Sequence, residues 1–330
     1  MKTIKEIFDN MVPESRFDGF VSLLEGRFEL PVTVLRGKAQ GKTVLITAGI
    51  HAAEYVGIQA SIVLARKLKP ECICGTVIIV KTVNRVAFEN RSGSFCMEDG
   101  KNLNRVFPGD PKGTEADQLA FAVSSELHTL ADYYIDLHSG DCYEKLTPYV
   151  YYPGKADQKV VEISRKMAEQ VDVPFMVRSN VAGGGSYNYA ASVGIPSILI
   201  ERGGMGAWSG EEAYSTVRDV RNILVSLGIY EGQKDDRTYR PLEMDQVCYL
   251  SSSYTGLWYA CREPGDIVKT GEILGMVKNY QGEVLEVFEA EFEGVVLYVT
   301  GSLQVLEDGP AITYGKLTDM SCIRKGRQDG

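Results

Sequence analysis

Along the first two-thirds of the chain, short β-branched runs alternate with longer stretches whose apolar positions recur at helical spacing. The runs at 31–36, 43–50 (TVLITAGI), 76–83 (TVIIVKTV), 133–138 (YYIDLH), 148–152 and 197–201 (SILIE) predict strands. The stretches near 54–69, 114–130, 156–171 and 210–228 predict amphipathic helices, and Thr114 followed by Glu115 and Asp117 reads as a capped start. Alternation of this kind predicts an α/β domain built on a largely parallel sheet covered on both faces.

The pattern changes near residue 235. A polar segment ending in proline, QKDDRTYRP, leads into short strands punctuated by glycines, with no helical periodicity. The expected division is a catalytic domain over 1–234 and a smaller all-β domain over 235–330.

Composition narrows the function classes. Hydrophobic residues make up 44% and charged residues 24%, the balance of an ordinary soluble globular protein. The net charge of −9 argues against nucleic acid or an anionic membrane as partner, while leaving room for a local basic pocket. The opening MKTIKEIFDNMVPESRF lacks the apolar run of a secretory signal, and no later stretch reaches the ~20 apolar residues that span a bilayer. The 7 cysteines are odd in number and irregularly spaced, which is not a disulfide framework. The C-x-C pair Cys72 and Cys74 reads as partly buried thiols. A cytoplasmic protein is expected, and homo-oligomerisation is left open.

Chemistry concentrates at strand ends. Of the 3 histidines, His51 and His138 each follow an apolar strand, where open α/β sheets bind their ligands. Glu54 stands three residues after His51 as a helix begins. Two imidazoles and one carboxylate form the ligand set of a catalytic zinc site, with a fourth position left for water. The same residues also fit an ordinary helix-start pair and a hydrogen-bonded strand-end histidine. Glu201 closes the strand SILIE ahead of Arg202, Gly203 and Gly204, a placement suited to a general base beside a metal and equally to a surface acid. In Asn102-Leu103-Asn104-Arg105, the guanidinium suits a substrate carboxylate, or simply solvent. Asp136 shares a strand face with His138, as a carboxylate behind the ligand or as a structural hydrogen-bonding group.

Taken together, GIHAAEYVG, NRVAFENRS (84–92), NLNRVFPG (102–109), DLHSG (136–140) and IPSILIERGG (195–204) resemble the zinc carboxypeptidase superfamily. The resemblance is closer to its succinylglutamate desuccinylase and aspartoacylase branch, over about residues 40–210. It implies the carboxypeptidase-like fold, a mixed and largely parallel sheet flanked by helices, with one zinc ion per chain held by His51, Glu54 and His138. It further implies Glu201 as general acid/base, Arg91 as the stabiliser of the oxyanion, and Asn104 and Arg105 as the grip on a substrate carboxylate. The superfamily often brings a tyrosine over its substrate, a role open here to Tyr187 or Tyr189 in what reads as a mobile glycine-rich loop. The acyl-amino-acid hydrolases also use an arginine shortly before the catalytic glutamate. None lies between Arg178 and Arg202 here, which counts against succinylglutamate or N-acetylaspartate as substrate.

In the C-terminal region, EPGDIVKTGEILGMV and EFEGVVLYV are similar to the half-motifs of biotinyl and lipoyl carriers. Lys278 lies between them, but MVKNYQGE lacks the flanking pattern of a modified lysine. The expectation is a structural β-sandwich that packs on the catalytic domain and narrows its access or mediates oligomer contacts.

The implied function is hydrolysis of an amide bond in a small N-acyl amino acid or related carboxylate-bearing molecule. Two alternatives stand beside it: a metallocarboxypeptidase acting on short peptides, and a binding protein that keeps the fold without activity. A serine or cysteine hydrolase is disfavoured. There is no G-x-S-x-G elbow, and a metal-ligating His138 cannot also serve Cys142 as a base.

Overall fold

In the computed structural model, residues 2–319 are described. The chain opens with a short capped helix, α1 (Ile4–Asn10), and an antiparallel pair, β1 (Ser15–Leu23) and β2 (Phe28–Arg36). There follow β3 (Ala39–Ala48), α2 (Tyr55–Lys67), β4 (Cys74–Val80), α3 (Arg85–Asn90), α4 (Glu115–Ala122) and β5 (Tyr133–His138). Next come β6 (Glu144–Leu146), β7 (Tyr149–Pro153), α5 (Gln158–Ala168), β8 (Phe175–Ser179), α6 (Ser186–Ser192), β9 (Ser197–Glu201) and α7 (Gly210–Ser226).

The centre of the sheet runs β4-β3-β5-β9, all parallel, and β7 then joins β9 antiparallel and β8 in parallel. Side-chain alternation along these strands sorts two cores. Val44, Ile46, Ile135, Leu137, Ile198 and Ile200 pack under α2, α5 and α7. On the opposite face Leu45, Tyr134, Tyr149, Tyr151 and Leu199 pack with residues of α1, α4 and α6. A period of two therefore puts Asp136 and His138 on the Tyr134 face, and Glu201 on the Leu199 face beside them. That face carries the polar chemistry. The other is sealed by aliphatic packing.

The sheet continues past the change in sequence texture. β10 (Leu242–Ser251) pairs in parallel with β8. The remaining strands are β11 (Gly256–Ala260), β12 (Ile267–Val268), β13 (Ile273–Lys278), β14 (Val284–Glu289), β15 (Gly294–Thr300), β16 (Gln304–Val305) and β17 (Pro310–Leu317). β17, β15 and β12 extend the large sheet to 13 strands, counting β6 on its flank, whereas β14, β13, β11 and β16 form a separate antiparallel sheet of 4. The two C-terminal sheets enclose a third core around Trp258, Phe288, Val296, Ile312 and Tyr314. The sandwich expected from the sequence thus shares one of its layers with the large sheet, because β10 supplies hydrogen-bonding edges to both β8 and β17. Lys278 ends β13 with its ammonium over the Tyr259 ring, 4.8 Å from the centroid.

Candidate active site and metal centre

The cage forms where β3 and β5 end. β3 stops at Ala48, and Gly49 turns the chain with a φ of 66°, a conformation that costs glycine little. His51 and Glu54 follow, with Glu54 at the N-cap of α2, where the positive end of the helix dipole favours a carboxylate. His138 arrives as the last residue of β5. The Glu54 carboxylate sits between the two imidazoles. Oε1 is 2.7 Å from His51 Nδ1, and Oε2 is 2.8 Å from His138 Nδ1. The backbone N–H of Ser139 donates to Oε2 at 3.1 Å. These three side chains offer ligand atoms all within 4.8 Å of one another and could hold a metal ion.

The second nitrogen of each ring has an oxygen close by, hydrogen-bonded for His51 and in ion-pair range for His138. Asn102 Oδ1 lies 2.9 Å from His51 Nε2 and also accepts the Asn104 backbone N–H at 2.8 Å. An atom that accepts from a backbone amide is the oxygen of the Asn102 side chain, so His51 donates to it from Nε2, leaving Nδ1 as the nitrogen for a metal or, without one, for a proton shared with Glu54. On the other ring, His138 Nε2 faces Asp136 Oδ2 at 3.1 Å, while Asp136 Oδ1 is held by Thr47 Oγ1 at 2.7 Å. Asp136 is wholly buried. Thr47 Oγ1 and the Tyr134 hydroxyl are 2.6 Å apart, and Tyr134 reaches Ser186 Oγ at 2.7 Å. Outer partners of this kind orient ligands and fix their tautomers.

Charges in the cage are strongly coupled. Burial alone would raise the Glu54 pKa, but the two facing imidazoles bring it down to about 2. Burial would lower that of His138, but the Glu54 and Asp136 carboxylates outweigh it and raise it well above the usual histidine value. Glu201 is directly opposite His138 in the β5–β9 register, and Tyr149 is opposite Glu201 in β7. Its Oε2 is buried without a hydrogen-bond partner. Burial first, then the charge of Glu54, raise the Glu201 pKa well above the ordinary carboxyl value, with Glu144 and Asp136 adding to the effect and His138 opposing it. A carboxyl so placed readily exchanges protons with a group beside it.

The other residues singled out from the sequence surround this cage at varied depths. Asn104 is buried, and its Oδ1 accepts the Ser186 backbone N–H at 2.8 Å, tying the 102–105 segment to α6. Arg105 is exposed, with one bond from Nη1 to the Asn104 carbonyl at 2.9 Å, and its charge reaches Tyr249 and Tyr298. Arg91 follows α3 in the left-handed region at φ 56°, with an exposed side chain that has no hydrogen-bond or ion-pair partner among the described residues. Its loop approaches Cys142, since a Cβ on Gly93 would lie 3.8 Å from that sulfur. Cys142 is a high-pKa thiol, pushed by burial and Asp141 to about 11, which suits no nucleophile.

The expected mobile loop around Tyr187 is instead the first turn of α6, where Tyr187 is buried and stacked on Tyr151 with ring centroids 6.2 Å apart. The N-cap is Gly185, with no capping side chain to separate SYNYAAS from the glycines before it, so the helix start is not legible in the residues. Tyr189 packs with its ring 5.9 Å from His128.

Several residues near the cage carry no local signature in the sequence. The Tyr249 hydroxyl, from β10, meets that of Tyr151 at 3.1 Å, and Tyr298 comes from β15. The backbone carbonyl of Glu144, from β6, is wedged between the segments that follow β5 and β9. A Cβ on Gly140 would lie 2.4 Å from the Glu144 carbonyl oxygen, and one on Gly204 only 2.3 Å from it. Pairing of β6 with β15 sets Glu144 opposite Thr300, and no local pattern announces a contact so distant in sequence.

Comparison with known proteins agrees with this geometry. Residues 40–227 match the Succinylglutamate desuccinylase/Aspartoacylase catalytic domain. The chain is 31% identical over 278 residues to the N-alpha-acetyl-L-2,4-diaminobutyric acid deacetylase of Halomonas elongata, covering 82% of this chain and 81% of that protein. Among solved structures, a succinylglutamate desuccinylase/aspartoacylase from Rhodobacter sphaeroides superposes with a TM-score of 0.82 at 27% identity, over 94% of this chain and 98% of that one. The product-bound ectoine utilization protein EutE (DoeB) of Ruegeria pomeroyi gives 0.80 at 26% identity, over 92% and 97%. Sequence match, fold and the arrangement of strand-end residues converge, and the chain belongs to the succinylglutamate desuccinylase/aspartoacylase family.

Proposed function

We propose that this protein is a zinc-dependent deacylase that cleaves the amide bond of a small N-acyl amino acid. The observation that carries the reading is the disposition of His51 Nδ1, Glu54 and His138 Nδ1 around one point, with Asn102 accepting from the far nitrogen of His51 and the Asp136 carboxylate 3.1 Å from that of His138. Two nitrogens and a carboxylate fit zinc and leave part of its coordination shell free. The metal, when bound, supplies Lewis acidity, lowering the pKa of water and polarising a carbonyl.

The rest of the chemistry belongs to the chain. Glu201 takes a proton from the attacking water and returns it to the leaving amine, aided by a raised pKa that lets it carry that proton. Arg91 supplies a fixed positive charge for the oxyanion, and Asn104 with Arg105 receives the substrate carboxylate. Tyr187 helps to shape the crevice through its stack on Tyr151. The named activity of the Halomonas elongata relative supports an N-acetyl amino acid as substrate. Residues 1–234 form the catalytic domain in this account. Residues 235–330 form an accessory β domain that lends Tyr249 to the crevice wall, favouring a small substrate over a long peptide. No helix among the described residues is long and apolar enough to cross a membrane, consistent with the proposed cytoplasmic site of action.

The test is Glu201→Gln in zinc-loaded protein, assayed on N-acetyl amino acids. General acid/base catalysis predicts a loss of about 10²–10⁴-fold in kcat with zinc content unchanged. Near-normal turnover in the variant would refute the mechanism.

A further inference from the structure

A buried chain of hydroxyl groups ends at the cage and runs in one direction. Thr47 Oγ1 donates to Asp136 Oδ1 at 2.7 Å. A hydroxyl carries one hydrogen, so the Tyr134 hydroxyl, 2.6 Å away, donates to Thr47 rather than accepting from it. The same count makes Ser186 Oγ, 2.7 Å from the Tyr134 oxygen, the donor to Tyr134. His128 Nε2 lies 3.4 Å beyond Ser186 Oγ and is left to donate to it, which puts the proton of a neutral His128 on Nε2. Its Nδ1 is then a bare lone pair, and that atom has no hydrogen-bond partner among the described residues. Thr47, Tyr134, Asp136 and Ser186 are all wholly buried, so water cannot stand in for a lost link.

The two ends of the chain are held differently. At Ser186, the first residue of α6, the backbone N–H donates to Asn104 Oδ1 at 2.8 Å. The Asn104 N–H donates in turn to Asn102 Oδ1, the acceptor of His51 Nε2. The origin of the chain is therefore tied to the segment that directs the other imidazole. At the far end, Asp136 Oδ2 is 3.1 Å from His138 Nε2, yet neither atom has a hydrogen-bond partner among the described residues. The bond from Thr47 to Oδ1 is what sets the rotation of the carboxylate, and since its two oxygens turn as one plane, holding Oδ1 holds Oδ2 in front of His138.

We propose that the Ser186–Tyr134–Thr47 chain is a positioning device for metal binding, holding the Asp136 carboxylate against His138 and registering that imidazole with the one on the Asn102 side. This rests on the zinc reading and goes beyond it by assigning three residues that touch neither metal nor substrate. Hydrogen bonds aligned head to tail polarise one another, so each link strengthens the next and the influence fades with distance from Asp136.

The experiment is zinc competition against a chromophoric chelator, on metal-free wild type, Thr47→Val, Tyr134→Phe and Ser186→Ala. Affinity should fall at least about tenfold in Thr47→Val, about fivefold in Tyr134→Phe and least in Ser186→Ala. Thr47→Ser keeps the hydroxyl and should stay within about twofold of wild type. Imidazole nitrogen shifts of the metal-free wild type, read by NMR from only 3 histidines, should show His128 protonated on Nε2. Wild-type zinc affinity in Thr47→Val, or equal weakening in Thr47→Ser, would overturn the proposal. His128 protonated on Nδ1 would send the Ser186 proton away from Tyr134 and overturn the chain. Lower stability of the variants to urea with zinc affinity unchanged would make the chain a structural feature alone and overturn its positioning role. Should Thr47→Val fail to fold, Tyr134→Phe, which removes a single oxygen, carries the same comparison, and wild-type affinity there would overturn the proposal. A wild type that takes up no zinc would overturn the zinc reading itself, whereas a zinc-binding wild type matched by its variants overturns the positioning alone.

Discussion

Replacing Asn102 by alanine tests how the cage is organised without touching a ligand. Asn102 Oδ1 accepts from His51 Nε2 at 2.9 Å and from the Asn104 backbone at 2.8 Å, so the truncation strips two donors at once. A donor left without its partner costs about 1–3 kcal/mol when water cannot replace the lost bond. The His51 side chain is 12% exposed, so water recovers part of that loss. The tautomer is a further term. Without the acceptor on Nε2, the imidazole is free to place its proton on Nδ1, the nitrogen that must be bare to hold a metal. About 1–3 kcal/mol corresponds to roughly 5–150-fold in metal affinity, which brackets the ~10–100-fold typical of outer partners of metal-bound histidines. The assay is zinc competition against a chromophoric chelator on metal-free protein. Asn102→Asp keeps an acceptor in place and should stay within about threefold of wild type by the same reasoning. Wild-type zinc affinity in Asn102→Ala would refute the argument. Equal weakening in the alanine and aspartate variants would show that Asn102 acts through general packing rather than as a hydrogen-bond acceptor.

Three further expectations follow from the same structure. Arg202 Nη2 pairs with the buried Asp219 Oδ2 at 2.6 Å, and Arg202→Ala should cost about 3 kcal/mol in urea unfolding by leaving an unpaired buried acid; a loss below about 0.5 kcal/mol would contradict this. His128 is buried with its pKa lowered by burial from 6.5 to about 4, so its neutral form stabilises the fold fully above the unfolded pKa, and that contribution fades as pH falls from 6.5 toward 4. It amounts to up to about 3 kcal/mol, and His128→Leu should flatten the acid side of the stability profile; an identical pH slope in both proteins would count against it. Arg105→Met should raise KM for an acyl amino acid by about tenfold or more with a smaller change in kcat, whereas a pure kcat effect would remove Arg105 from carboxylate binding.

The first two-thirds of the chain were legible in the sequence because their signals are local. The runs ending at Ala48, His138 and Glu201 are apolar and flanked by glycine, and each lies where a strand was expected. Period two then put Asp136 behind His138 without further information. What stayed hidden depends on contacts distant in sequence. β1 carries alternating exposed residues that dilute its apolar signal, and β8, five residues long, lacked a distinct pattern. The joining of β10 to β8 is a matter of edge pairing, which hydrophobic periodicity does not encode, and it is what brings Tyr249 to Tyr151. The face of Asn102 toward His51 is set by the 3-10 turn at Leu103–Arg105, a feature too short to read from composition.

The account's central claim is that His51, Glu54 and His138 hold a zinc ion on which hydrolysis depends. The most direct measurement is zinc content by elemental analysis of wild type and His138→Ala purified without added metal, paired with turnover of N-α-acetyl-L-2,4-diaminobutyrate. The account predicts about one zinc per wild-type chain, its loss in the variant, and activity that disappears with chelation and returns with zinc. A wild-type chain that neither carries nor takes up zinc, or an activity indifferent to its removal, would contradict it.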